Sequence, residues 1–190
     1  MIQPILLAAG RSVRFGANKL LHPLADGTPL ALAAARNLAT ALPGALAVVN
    51  GADAELAWLL EGVGLKLSIC PHAQEGMGAS LAWAVSQTIA ADGWLIALAD
   101  MPFIAPRTLR AVAEAVRGPL DIVAPVHGCR RGHPVAFGQG HGPALSRLRG
   151  DTGARVLLQA YPSKLVLLSC NDPGVLQDID LPDHLLMTPR

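Results

Sequence analysis

IQPILLAAGRSVRFGANK, residues 2–19, is the stretch on which the fold turns. Ile2 to Leu7 is a short apolar run, and Ala8-Ala9-Gly10 stops it, which is how a buried strand running into a loop reads. Residues 8 to 19 then lie at the end of a strand. Working outward, Pro29 followed by LALAAARNLATAL predicts a helix with proline in its first turn, closed by Pro43-Gly44 ahead of a strand over 45–49. A helix over Asp53–Leu60 and a brief strand over Leu67–Cys70 follow. Next come a helix over Ala79–Ala91 and a strongly apolar strand over Trp94–Leu98 that ends abruptly at Asp100-Met101-Pro102. The alternation continues with a helix over Pro106–Val116, strands over Asp121–Ala124 and Pro134–Phe137, a helix over Asp151–Ala160 capped by its aspartate, and a last strand over Val166–Ser169. Apolar strands separated by amphipathic helices imply an α/β three-layer sandwich with a mostly parallel central sheet. Ligands of such sheets sit at the strand C-termini, so the loops after 2–7 and 94–98 are the first places to look for chemistry.

Composition narrows the partners. With 52% hydrophobic and 15% charged residues in 190, the chain carries ample material for one continuous core, and a single domain over 1–190 is expected. A formal charge of +1 supplies no basic field for nucleic-acid backbones or anionic membranes, and 4% aromatic residues supply few stacking platforms. Polymeric nucleic acid and membrane are therefore not expected partners. No basic residue precedes the first apolar run, and Cys70, Cys129 and Cys170 are too far apart for a thiolate metal site, so a cytoplasmic location is expected.

Five segments carry candidate chemistry. The loop from Gly10 to Lys19 offers glycines, exposed backbone N–H groups, Arg11, Arg14 and Lys19 directly after a strand, the parts of a triphosphate cradle, although it is neither a Walker A loop nor a dinucleotide fingerprint. A solvated polar turn would read the same way. Asp100 is projected from the end of an apolar strand, either as a ligand for Mg²⁺ on nucleotide phosphates or as a turn aspartate ahead of Pro102. Asp178 and Asp180 alternate, so an extended chain points only one of them to a given face; either a second metal ligand or a pair of exposed acids results. Gln74 to Ser80 joins a strand to a helix and allows close backbone approach to a flat base, as would any glycine-containing helix start. Arg130-Arg131-Gly132-His133-Pro134 suits an anionic acceptor or a solvated turn. His127, Cys129 and His133 lack a fourth ligand at standard zinc spacing.

Taken together, LLAAGRSVRFGANK, QEGMGASL, LADMPF, RGHPVAF, GDTGAR and DIDLPDHL resemble the MobA-like nucleotidyltransferases, most closely the molybdenum cofactor cytidylyltransferase branch known as MocA. The resemblance spans residues 5 to 185 and implies a Rossmann-like nucleotidyltransferase fold. It implies that Leu7, Ala8, Ala9, Gly10, Ser12, Arg14, Gly16 and Lys19 bind the nucleotide, with Arg14, Lys19 and Asp100 catalytic. It also implies that Asp100 and Asp180 bind Mg²⁺ and that Gly76, Met77 and Ser80 lie beside base and ribose. Met101, Pro102, Arg131, Gly132, His133, Asp151 and Arg155 are the implied acceptor-binding set. Ala9 and the Asp-Met-Pro sequence look like the cytidylyl branch, whereas guanylyl relatives show Leu-Ala-Gly-Gly and Asp-Thr-Pro.

The activity so implied is transfer of CMP from CTP to the phosphate of the molybdenum cofactor, with a molybdoenzyme or its chaperone as recipient. Competing readings are guanylyl or other nucleotidyl transfer, the oxidoreductase role assigned to nearby sequences in nicotine degradation, and a non-catalytic cofactor delivery protein. No dinucleotide fingerprint supports the redox option. Presence of Arg14, Lys19 and Asp100 together argues against a non-catalytic one.

Overall fold

A computed structural model describes residues 1–10 and 18–179. Strands β1 (Ile2–Ala8), β2 (Leu46–Val49), β3 (Lys66–Ile69), β4 (Gly93–Leu98), β5 (Ile122–His127), β6 (Arg130–Arg131), β7 (Val135–Gly138) and β8 (Leu165–Ser169) form one eight-stranded sheet. Its order is β3-β2-β1-β4-β7-β5-β6, with β8 also paired to β5. The β3-β2-β1-β4 block and the β5–β8 pair are parallel. Strand β7 is inserted antiparallel between β4 and β5, and β6 joins β5 in a tight hairpin. That hairpin turns through Gly128 and Cys129, both at positive φ (53° and 66°), the conformation a two-residue turn needs to match strand twist.

Helices α1 (Leu30–Ala41), α2 (Ala54–Gly62), α3 (Met77–Gln87), α4 (Pro106–Glu114), α5 (Gly142–Leu145) and α6 (Arg155–Ala160) cover the two faces. Side chains alternate across a strand, so β1 sends Leu6 and Ala8 to one core and Ile5 and Leu7 to the other. The first core is completed by Leu30, Leu38, Leu56, Leu60, Leu109 and Val112 of α1, α2 and α4. The second is completed by Leu81, Val85, Leu145, Leu157 and Leu158 of α3, α5 and α6 around Trp94 and Phe137. This is the expected three-layer sandwich, with both faces of β1, β2 and β4 buried and the edge strand β3 partly exposed.

Three boundaries differ from the sequence reading for physical reasons. Strand β5 runs on through Pro125 to His127, because Pro125 keeps its carbonyl in use as the acceptor for the Gly132 N–H even though it has none to donate. Helix α3 starts at Met77, as Gly76 (φ 112°) holds a backbone conformation that terminates the preceding turn. Asp151 does not cap a helix: Gly150 and Gly153, at φ 64° and 52°, turn the chain twice, and α6 begins only at Arg155.

Candidate active site

Strands β1 and β4 are neighbours in parallel register, Leu7 opposite Leu98, so both loops leave the same edge of the sheet side by side. Ala8 closes β1, with Leu7, Ala8 and Ala9 buried and Gly10 exposed. Ser12, Arg14 and Gly16 lie outside the described residues, as does Asp180. Lys19 opens a short 3-10 turn, Lys19–Leu21, capped by Asn18, whose side chain accepts from the Leu20 N–H (3.1 Å) and donates to Asp53 Oδ1 (3.2 Å). That turn carries Lys19 Nζ to 3.0 Å from Asp100 Oδ2. Their side chains are only 13% and 25% exposed, so the pair is shielded from water and the attraction is stronger than at an open surface. Asp100 Oδ1 is buried with no hydrogen-bond partner among the described residues. An unsatisfied carboxylate oxygen beside an ammonium is costly unless a ligand completes it.

Next to this pair, on the α3–α6 side, lies a cavity of about 230 Å³. Its floor is apolar, from Leu7, Ile96, Leu98 and Phe137 of the sheet and Leu81 and Leu158 of the helices. Its rim is polar: Arg131, His133, Asp151, Thr152 and Arg155, together with the thioether of Met77. The rim is tied together by glycines. A Cβ on Gly76 would collide with Asp151 Oδ1, and one on Gly78 would come 2.8 Å from the carbonyl oxygens of Arg149 and Gly150. The Gly78 N–H donates to the Gly150 carbonyl at 2.7 Å. The GMG and RGDTG segments are thus locked backbone to backbone.

Of the residues singled out for an acceptor, Arg131, Gly132, His133, Asp151 and Arg155 line this cavity, whereas Met101 and Pro102 do not. Met101 is buried in the α1–α4 core, and the Pro102 carbonyl accepts from Asn37 Nδ2 (2.9 Å). Met77 lines the cavity and Gly76 packs against Asp151 of its rim; Ser80 is buried, its hydroxyl turned back towards the Gly76 carbonyl. Asp178 is exposed, and the N–H of Ile179, the residue before Asp180, donates to the Asp100 carbonyl at 3.0 Å. Thr152 and the floor residues other than Leu7 were not singled out from sequence, although Thr152 stands within the GDTGAR motif.

His133 has its Nδ1 sealed from solvent and without a partner among the described residues. Burial pushes its pKa below the ordinary value; the Asp100 charge opposes this and the Arg131 charge adds to it. Between that lowered value and about 6.5, the unfolded chain holds a proton that the folded chain refuses, so stability present above about pH 6.5 is lost on acidification, at up to about 1.4 kcal/mol per pH unit. The urea midpoint is therefore expected to fall between pH 7.5 and 5.5, and to fall less in His133→Gln. Parallel losses in the two proteins would refute this.

The comparison with known proteins decides the family: residues 4–165 match the MobA-like NTP transferase domain. The chain belongs to the MobA-like NTP transferase family. Within it, the chain is 31% identical to the purine catabolism protein PucB of Bacillus subtilis (strain 168), over 98% of this chain and 95% of that one. It is 28% identical to the nicotine blue oxidoreductase of Paenarthrobacter nicotinovorans, over 95% and 93%. Among solved structures, a nucleotidyl transferase from Methanothermobacter thermautotroptrophicus superposes with a TM-score of 0.84 at 24% identity, over 98% and 94% of the chains. Rv0371c from Mycobacterium tuberculosis H37Rv, solved as a complex with manganese, superposes at 0.81 with 26% identity, over 98% of both chains. By family the chain carries a nucleotidyltransferase domain, its fold is that of these solved structures, and its described residues contain no helix long and apolar enough to cross a membrane.

Proposed function

We propose that this MobA-like protein moves CMP from CTP to the phosphate of the molybdenum cofactor, releasing pyrophosphate with the help of Mg²⁺. The observation that carries the reading is the shielded Lys19–Asp100 pair, in which one Asp100 oxygen has no hydrogen-bond partner among the described residues, beside a cavity rimmed by Arg131, His133, Asp151, Thr152 and Arg155.

The donor set fits a divalent cation of this type. Among the described residues no three His, Cys, Asp or Glu side chains converge on a metal, and magnesium is commonly held by one or two carboxylates together with substrate oxygens. Asp100 Oδ1 would hold it, and a second ligand is sought at Asp180. When bound, the cation supplies positive charge to the triphosphate oxygens.

The rest falls to the chain's own residues. A phosphate oxygen of the acceptor attacks the α-phosphorus of CTP, the bond from that phosphorus to the β-bridging oxygen breaks, and pyrophosphate leaves with the electron pair. Lys19, held by Asp100 at the strand edge, stabilises negative charge on the departing pyrophosphate, joined by Arg14. The apolar floor and the Arg131, His133, Asp151, Thr152 and Arg155 rim seat the acceptor and exclude water, which would otherwise compete as nucleophile. The family match and the similarity to a manganese-bound relative support a nucleotidyl transfer that uses a divalent cation.

Base choice is the sharpest sub-claim. Ala8 and Ala9 are buried, so the backbone there is fixed, and the methyl of Ala9 restricts approach of a purine while backbone groups pair with the cytosine edge. One or two hydrogen bonds left unmade by the wrong base, at about 1–3 kcal/mol each, correspond to roughly tenfold to several-hundredfold in kcat/KM. In competition for one acceptor, CTP is expected to win over GTP by that margin. Equal use, or preference for GTP, rejects the cytidylyl assignment and leaves nucleotidyl transfer standing.

A further inference from the structure

Residues 172–179 run beside the loop that carries Asp100 and grip it along its length. At the far end, Asp172 is 5% exposed; its Oδ2 accepts from the Ala105 N–H (2.9 Å) and the Thr108 hydroxyl (2.6 Å), and its Oδ1 from the Gly174 N–H (3.1 Å). In the middle, the Gly174 Cα lies so close to the Phe103 carbonyl that a Cβ there would collide with it. At the near end, the Ile179 N–H donates to the Asp100 carbonyl (3.0 Å). The other side of the same segment grips the cavity rim. His133 N–H donates to the Val175 carbonyl (2.9 Å), and Gly132 is pressed against that same carbonyl group.

A plain helix cap would account for part of this. Ala105, the residue before α4, has no side chain able to cap, and Asp172 supplies the missing acceptor from 67 residues away. Capping does not account for the Gly174 contact with Phe103, the bond from Ile179 to Asp100, or the bond from His133 to Val175. Those three join Asp100 and the rim of the cavity through one piece of chain.

We propose that residues 172–179 are a strap that sets Asp100 for a metal–triphosphate complex, with Asp172 as a positioning residue and Gly174 as the spacer that lets strap and loop meet. The proposal rests on the nucleotidyl-transfer reading above. Coupling between sites is reciprocal, so a ligand that needs Asp100 in place must in turn tighten the strap.

The test measures binding by the full-length chain, not turnover. Mn²⁺–CTP affinity is followed by the electron spin resonance of the ion, and metal-free CTP affinity by calorimetry. Gly174→Ala and Asp172→Asn are expected to weaken Mn²⁺–CTP about tenfold and to leave metal-free CTP binding within about twofold, the size of coupling change that substitutions outside a site can produce. Wild-type Mn²⁺–CTP affinity in both folded variants, or equal weakening with and without metal, overturns the strap. Asp100→Ala separates the two claims. If it binds Mn²⁺–CTP as the wild type does, the metal assignment to Asp100 falls and the strap's role with it; if it alone loses binding, only the strap falls. Should the strap variants unfold, hydrogen exchange at the Ile179 amide of the wild-type chain decides: exchange slows on adding Mn²⁺–CTP, and an unchanged rate refutes the proposal.

Discussion

Asp100→Ala is expected to lower the rate of pyrophosphate release by about 10³-fold or more while the protein stays folded, the scale seen when a group that stabilises developing charge is removed. Asp100 lies in the turn just beyond β4, and its side chain is outside the two hydrophobic cores of the sandwich. The substitution removes the carboxylate that faces Lys19 Nζ at 3.0 Å, including the buried Oδ1 that has no partner among the described residues. Asp100→Asn is the finer probe, since it keeps the shape and one carbonyl acceptor but loses the charge; it should stay nearly as inactive as the alanine variant. A folded Asp100→Ala protein that releases pyrophosphate normally with Mg²⁺ would show that the carboxylate serves only the local turn.

Lys19→Ala is expected to lower kcat by about 10²-fold, because the ammonium acts on charge that grows as pyrophosphate departs. Its position is fixed from both sides, by the Asn18-capped turn and by Asp100, so it is oriented before substrate arrives. Lys19→Arg should recover only part of the rate, since a planar guanidinium cannot occupy the same point opposite Oδ2. A rise in KM with kcat unchanged would mean that Lys19 binds substrate and transition state equally, and its catalytic role would be withdrawn.

Much of the fold was legible because burial on both faces leaves an unmistakable trace. The unbroken apolar runs before Ala8 and before Asp100 name the two central strands, and proline or glycine marks many of the helix starts. Short elements were less visible. The hairpin strand β6 consists of two arginines, which carry no strand signal, and it exists through its pairing with Val126 and His127. Pro125 reads as a stop, yet it is accommodated where only its carbonyl is needed.

The site was legible in part, for a related reason. Asp100 stands out because it follows an apolar strand and Lys19 because it closes the glycine- and arginine-containing loop after another, but their contact joins positions 81 residues apart and has no local signature. The cavity floor is made of Leu81, Ile96, Phe137 and Leu158, which no periodicity distinguishes from ordinary core. Asp172 sits in Asn-Asp-Pro-Gly, a sequence that reads as a turn and nothing more. Its three donors become apparent only when the chain end is laid along the loop after β4.

Transfer of label from CTP carrying a radioactive α-phosphorus is the most direct measurement of the central claim. With Mg²⁺ and molybdenum cofactor, the label is expected to move to the cofactor in step with one equivalent of pyrophosphate, and to remain on CTP when Asp100→Ala replaces the wild-type chain. If no nucleoside triphosphate passes its α-phosphorus to the cofactor, or if Asp100→Ala transfers it as fast as the wild type, the account of this site is contradicted.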